Sequence, residues 1–544
     1  MTTTIVARSG YSAQELPLSG PISSYTHRVN PGAASRLADV LQLAFGSRSL
    51  SDARAAISEP FSSSLLPPSL APRRLAAPFT TRARVGDAGP RPVAAVGSAA
   101  AHAAPVLDLL RRRGHPRTPG SATGQRIAVV GGGIAGLSAA WSLSDRAHVT
   151  LFEAGDHAGG HTHTVDLTLD GITHGVDTGF LVFNERTYPL LIQLFEQLGV
   201  EVAPSDMSFS AQVPADDVEW SGSNLATVFA QRRNLMRPAF WGMLADLLRF
   251  NRLCTDLAAR GEEAALAEPI GAFLDRHRFG PGFRNWYLLP MVACIWSCPT
   301  AQMLQFPIRT LIRFCHNHGL LQVNDRPQWW TVTGGARHYV QAMLPALHDV
   351  RLSTPVHAVR RTADGVVVSS ARGDEGFDAV ILASHSDQSL GLLRDASALE
   401  RELLGAVRYQ PNVAVLHTDE RLLPRRRNAW AAWNYESGSD HGPDGASVCL
   451  HYLLNRLQPL PWERPVVVSL NPLRQPDPAR VIGRYDYAHP VFDDGAVRAQ
   501  ARLAEIQGAG GVWFAGAWTR YGFHEDGLLS GLTAAQQLAA KVLA

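Results

Sequence analysis

Lysine is almost missing from this chain: of its 50 basic residues only Lys541 is lysine, and the other 49 are arginine. Nucleic-acid-binding surfaces usually mix the two in patches. Here arginine replaces lysine throughout, beside abundant Ala, Gly and Pro, which reads as a coding bias, and no nucleic-acid partner is expected. Cysteine is scarce too: Cys254, Cys294, Cys298, Cys315 and Cys449 are odd in number and dispersed over 544 residues. That excludes a disulfide scaffold and points to free thiols in a reducing, cytoplasmic setting. Long apolar runs are missing as well. The best candidate, residues 94–110, is interrupted by Ser98, His102, Pro105 and Asp108, so a spanning helix is excluded while peripheral membrane contact stays open.

What is present is a globular composition, 46% hydrophobic and 18% charged with a net charge of +2, long enough for more than one core. Charge is uneven: residues 1–120 carry 14 arginines against 6 acidic residues, and the remainder 36 basic against 42 acidic. Residues 1–123 are rich in Ala, Pro, Ser and Arg without apolar periodicity, which predicts a disordered low-complexity extension. A linker or an over-called start is favoured there over a targeting segment, because no apolar stretch follows Arg111-Arg112-Arg113.

Regular structure begins at Arg126. Ile127–Val130 reads as a buried parallel strand, a helix runs to about Leu143, and His148–Phe152 makes a second strand, completing one βαβ unit. Val165, Leu167 and Leu169 alternate with polar residues before the Asp170-Gly171 turn and Ile172–Val176, which predicts a hairpin. Residues 222–325 are helical in pattern, with prolines at 238, 269, 281, 290, 299 and 307 bounding several helices. Strands are expected at Val350–Val356, Val366–Ser370, Ala379–Ala383, Val448–Leu453, Val466–Leu470 and Val512–Ala515, with a final helix from about Leu528.

The link between strand and helix is G-x-G-x-x-G at Gly131, Gly133 and Gly136, with Ile134 and Ala135 opening the helix. Gly131 permits the turn, Gly133 lets the backbone approach a pyrophosphate, and Gly136 lets helix and strand close up, with the helix N-terminus facing the anion. Glu153, twenty residues past Gly133, ends the second strand where an acid binds both ribose hydroxyls of an adenosine and disfavours a 2′-phosphate. FAD and NAD remain open on these residues.

Glu153-Ala154-Gly155-Asp156-His157-Ala158-Gly159-Gly160 resembles the E-x(5)-GG extension of glutathione-reductase-like and amine-oxidase-like FAD proteins, and residues 512–517 and 530–535 resemble their C-terminal flavin motif. No second nucleotide motif and no redox C-x-x-C occurs, so a disulfide reductase is not expected, and electrons would leave to oxygen or another acceptor. Cys294, Cys298, His316 and His318 lack structural zinc spacing, core cysteines are favoured, and no metal is expected. Further segments narrow the resemblance, among them Asp177–Asn184, Asp206–Ser210, Asn317–Leu321 and above all Tyr521–Leu528. They are similar to the amine-oxidase and phytoene-desaturase-like superfamily, in particular to the flavin domain fused to plant cyclopropane-fatty-acid synthases and its free-standing bacterial relatives.

The resemblance implies an α/β fold, a Rossmann-type FAD-binding domain of glutathione-reductase-like form with an inserted α+β substrate domain. The expected division is 124–203, 346–395 and 506–544 for FAD, with 204–345 mainly helical and 396–505 supplying substrate-domain strands. Cofactor contacts are expected from Gly131, Gly133, Ile134, Ala135, Gly136, Glu153, Ala154, Gly159, Gly160, His161, Thr162, Asp177, Gly179, Phe180, Val356, Gly516, Glu525, Gly527 and Leu528. His161 stands where many relatives have arginine. His524 and Tyr521 are the candidate catalytic side chains. The lysine that amine oxidases often place near the flavin has no counterpart beside these motifs. The implied chemistry is hydride removal from an apolar, lipid or fatty-acyl substrate. A flavin amine oxidase, or a non-catalytic partner of a lipid methyltransferase, are the alternatives. The stretch from Phe229 to Phe250 mixes arginines with large apolar residues and reads as a core helix, or as a membrane-surface helix if the substrate is a phospholipid.

Overall fold

A computed structural model describes residues 123–543 apart from 297–299, 323–325 and 439–448, together with Arg73–Arg74. The extension expected to be disordered therefore lies almost wholly outside the described residues, as do Cys298 and Pro299.

Five parallel strands form the first sheet, in the order Asp349–Arg351, Ala147–Phe152, Thr123–Val130, Ala379–Leu382, Val512–Phe514. Their side chains alternate between two separate cores. Ile127, Val129, Ile381 and Trp513 face the helices Ile134–Leu143 and His524–Val542. Ala128, Val130, Val380 and Phe514 face an antiparallel meander, Val356–Thr362, Gly365–Ser370 and Gly373–Phe377. Burial on both faces explains why Ile127–Val130 and the strands Ala379–Leu382 and Val512–Phe514 are unbroken apolar runs. All ten residues of the helix Ile134–Leu143 are buried, as a helix apolar all round must be. It can lie so close to the last helix because Gly531 meets Ala135 there, where a Cβ would come within 2.1 Å of the Ala135 carbonyl oxygen.

Two expected elements differ. Val350–Val356 is not one strand: Ser353 adopts φ 47°, which ends the sheet strand, and Val356 opens the meander. The last helix starts at His524 rather than Leu528, its first turn closed by Phe523 N–H donating to Asp526 Oδ2 at 3.0 Å.

The second sheet has seven strands, in the order Val481–Val491, Arg408–His417, Val467–Leu470, Cys449–Leu453, Trp433–Glu436, Phe209–Val213, Val218–Ser221. Residues 204–345 thus contribute two strands to it besides their helices. One face is apolar, with Ala211, Tyr435, Leu450, Val468 and Leu470 packed against the helices between Pro238 and Asn317. The opposite face carries Gln212, Asn434, Glu436, Cys449, His451, Ser469 and His417, all buried. The prolines mark helix starts: Pro238 and Pro281 occupy the first turn and Pro269 and Pro307 the N-cap, where a missing N–H costs nothing. Pro290 lies near the start of Leu289–Trp296. The stretch read as a core or membrane-surface helix splits into a turn, Arg232–Met236, and a helix, Pro238–Arg260, that buries Phe240, Met243, Phe250 and Cys254. Among the described residues no helix is long and apolar enough to cross a membrane.

Candidate active site

The glycine loop follows the first strand as its spacing requires. Gly131 sits at φ +108° with its N–H donating to Phe152 O at 2.8 Å, and a Cβ there would meet Ala383 O at 2.8 Å. At Gly136 a Cβ would fall 1.8 Å from Gly131 O, so this residue closes helix onto strand and does not itself line the cavity. A Cβ on Gly133 would meet no protein atom within 4 Å, which leaves its backbone open to the cavity it lines. Glu153 accepts from Gly132 N–H at 2.6 Å and Gly155 N–H at 2.7 Å, and retains lone pairs for ribose hydroxyls. Gly159 N–H donates to Gly132 O at 2.8 Å, and Gly160 lies so close to Gly133 that a Cβ would stand 3.1 Å from its Cα. The glycine pair is therefore packed on the phosphate-binding turn.

Beyond the turn the wall is made of rings. His161 lies against Tyr487 and His489, at 5.0 and 5.3 Å between centroids, and its buried Nε2 has no hydrogen-bond partner among the described residues. Burial, with His489, His385 and His524 nearby, pushes the His161 imidazole down to about 3, so it is neutral. His524 stacks on Phe180 at 3.9 Å, and Tyr339 Oη and Thr162 Oγ1 lie 2.8 and 3.2 Å from its Nε2. Burial lowers it to about 3 as well. Gly516 at φ +155° gives its N–H to Ser530 Oγ at 2.8 Å and lines the same wall, as do Ala154, Gly179, Val356 and Tyr521.

Besides Gly136, five residues expected at the cofactor are turned elsewhere. Thr162 stands behind the wall and holds His524 and Tyr339. Asp177 is fully buried and accepts from Thr164, the Ala336 N–H and Gln458, tying the hairpin to the helix after Gly335; burial raises it to about 7. Glu525 accepts from Leu190 N–H at 2.8 Å and Leu191 N–H at 3.0 Å, capping the helix Pro189–Leu198, whose Pro189 leaves the next amides as orphans. Gly527 packs on Ile134 and Leu528 is fully buried. An acid or a small residue near a flavin motif does not disclose which way it faces.

Other wall residues went unread. Ser384, His385 and Trp518 come from loops at strand ends, Trp518 donating to Ser384 O at 3.2 Å and His385 stacking on Tyr409 at 4.3 Å. Tyr487 and His489 stand two apart on the strand Val481–Val491, a period-two signal visible in the sequence. His318 stacks on Phe314 at 4.0 Å, with its Nδ1 3.0 Å from Phe314 O; burial lowers it to about 4, so the neutral ring donates from Nδ1 and Nε2 is its acceptor.

The glycine turn and the wall residues border one cavity of about 1490 Å3. Single small-ligand pockets run to roughly 1,000 Å3, so there is room for a dinucleotide and a substrate side by side. Its far end is a chamber walled by Phe229, Trp241, Leu244, Leu248, Met291 and Trp433 and by other rings of the helical region and the seven-stranded sheet.

Residues 134–460 match the sequence profile described as flavin containing amine oxidoreductase, which is more than half of the chain. The chain belongs to that family. A carotenoid phi-ring synthase of Streptomyces griseus is 29% identical over 320 residues, 55% of this chain and 59% of that protein, so this flavoprotein spans less than two thirds of that relative's length in the match. Its fold is similar to the crystal structure of a CLA-producing fatty acid isomerase from P. acnes, with a TM-score of 0.55 at 15% identity over 77% of this chain and 99% of that one. It is also similar to cyclohexylamine oxidase from Brevibacterium oxydans IH-35A, with a TM-score of 0.53 at 16% identity over 77% of this chain and all of that one. As a member of the family, the protein has FAD as its cofactor, on a Rossmann-type α/β domain with an additional domain. The residues fit that cofactor: an open glycine turn, an acid at the ribose position and an unpartnered buried imidazole all face one cavity.

Proposed function

We propose that this FAD-dependent oxidoreductase oxidises an apolar, lipid-like substrate at an allylic or similarly activated carbon. The observation that carries the reading is the chamber. Its described far wall is mainly aromatic and aliphatic, with Arg326, Gln328 and His318 among its polar members, and its acidic member, Asp206, is engaged by Arg456 at 3.1 Å and by Ser208. A cationic amine would find no free carboxylate among the described residues there, whereas an acyl or isoprenoid chain would bury its surface at about 25 cal/mol per Å2. That a carotenoid enzyme and a fatty acid isomerase stand among the similar proteins supports the same class.

FAD, when bound, supplies a two-electron acceptor for hydride. The chain's own part is placement: rings of the chamber hold the substrate dry, and hydroxyls of Thr162 and Tyr339 fix His524 against Phe180. An imidazole held at about 3 is a poor base at neutral pH, so His524 orients rather than removes a proton. His318 offers Nε2 as an acceptor for a polar end group of the substrate. Delivery from a membrane surface is supported by the turn Arg232–Met236, where Met236 is 85% exposed between Arg233 and Arg237.

The test is an anaerobic visible spectrum of the holoprotein before and after vesicles of unsaturated phospholipid, and separately before and after polyamines and aromatic amines. Bleaching of the flavin band by lipid supports the proposal. Bleaching by amines alone would replace it with an amine oxidase. A flavin that no lipid bleaches, in a protein that co-purifies with a cyclopropane-synthase-like methyltransferase, would make it that enzyme's partner.

A further inference from the structure

The seven-stranded sheet turns its apolar face to the substrate chamber and buries polar side chains on the other. Register brings three of these together. Glu436 is paired across strands with Cys449, and His451 lies two residues on, on the same face of the strand. Cys449 Sγ is 3.4 Å from His451 Nε2, which is 3.0 Å from Glu436 Oε2. All three are buried, and their ligand atoms fall within 4.8 Å of one another, the single place among the described residues where three such side chains converge.

We propose that Glu436, Cys449 and His451 bind one divalent cation of the zinc class. The mixed sulfur, nitrogen and oxygen set suits that ion, and tetrahedral coordination at zinc bond lengths puts neighbouring ligand atoms about 3.4–3.6 Å apart, against 3.4 Å from sulfur to nitrogen and 3.0 Å from nitrogen to oxygen here. The surroundings are those of a ligating imidazole. His451 Nδ1 lies 2.7 Å from Ser469 Oγ, and Ser469 Oγ lies 2.7 Å from His417 Nε2. Asp419 N–H donates to His417 Nδ1 at 3.0 Å, which fixes the proton of that ring on Nε2. Ser469 Oγ therefore accepts from His417 and is placed to accept from His451 Nδ1–H, freeing Nε2 for the ion. Arg474 donates to both carboxylate oxygens, Nε to Glu436 Oε1 at 2.9 Å and Nη2 to Oε2 at 3.2 Å, orienting the carboxylate and leaving Oε2 a lone pair for the ion. On binding, the thiol of Cys449 gives its proton to solvent as sulfur bonds to the metal, His451 coordinates through a lone pair, and one position stays for water. No electron moves. The ion staples the strands Trp433–Glu436 and Cys449–Leu453 behind the chamber.

The test uses the untagged full-length holoprotein, loaded with zinc chloride, desalted, and assayed for metal by mass spectrometry. About one zinc per chain is expected, falling at least tenfold in Cys449→Ala with flavin content unchanged, and Ser469→Ala weakening affinity about 10–100-fold. Cobalt in place of zinc should show a thiolate charge-transfer absorption that Cys449→Ala abolishes. Wild type that retains under about a tenth of an equivalent, or uptake that Cys449→Ala leaves intact, would overturn the site.

Discussion

Gly136 shows how little room the cofactor turn leaves. Gly136→Ala would drive a methyl group into the Gly131 carbonyl, and we expect a stability loss of more than ~2 kcal/mol together with loss of bound flavin, read from urea melts and the visible-to-ultraviolet absorbance ratio. Glu525 makes a different prediction. Burial raises its carboxyl from 4.5 to about 8, so folding takes up a proton between those values and stability falls as pH rises through that window. Glu525→Gln should flatten that slope, while costing roughly 1 kcal/mol by leaving Leu190 or Leu191 N–H without its acceptor; melts from pH 4 to 9 check both. His318→Phe keeps the stack on Phe314 but removes the acceptor, and should raise KM about tenfold for a substrate bearing a hydroxyl end while sparing kcat.

Among the elements, the helix Pro238–Arg260 does two jobs, packing Phe240 and Phe250 into the core and presenting Trp241, Leu244 and Leu248 to the chamber. Leu244→Arg should lower kcat/KM for an apolar substrate at least tenfold with flavin content unchanged, since a charge would be desolvated where the chain must lie. The sequence discloses such elements unevenly. The βαβ unit is legible because its strand, turn, helix and acid lie within thirty residues and each glycine does a local job. Tyr487 and His489 disclose their alternation but not their destination, and Ser384 discloses neither, because what brings them to the wall is strand register and loop packing between segments far apart in the chain. Asp177 and Glu525 misled for a related reason. Their surroundings in sequence are flavin motifs, but their partners are the Ala336 amide and the start of the helix Pro189–Leu198, which no motif mentions.

For the whole molecule, the five-stranded sheet and its loops are drawn from three separate stretches of chain, and a ligand lying across Glu153, Val356 and Gly516 touches all three. FAD should therefore act on the global melt: at a hundredfold excess over its Kd it should add about 2.7 kcal/mol, so the midpoint of thermal unfolding should climb with FAD concentration in reconstituted apoprotein. The order of strands also sets a schedule. The glycine turn emerges early, yet the strand that flanks Thr123–Val130, Ala379–Leu382, and beyond it Val512–Phe514, follow roughly 250 and 380 residues later. At about 5–20 residues per second, the ribosome leaves the nucleotide cradle half-built for roughly 20–80 seconds. Flavin capture is thus a late event in the life of each nascent chain, and a cell short of FAD would accumulate finished polypeptides with an open cleft rather than stalled ones.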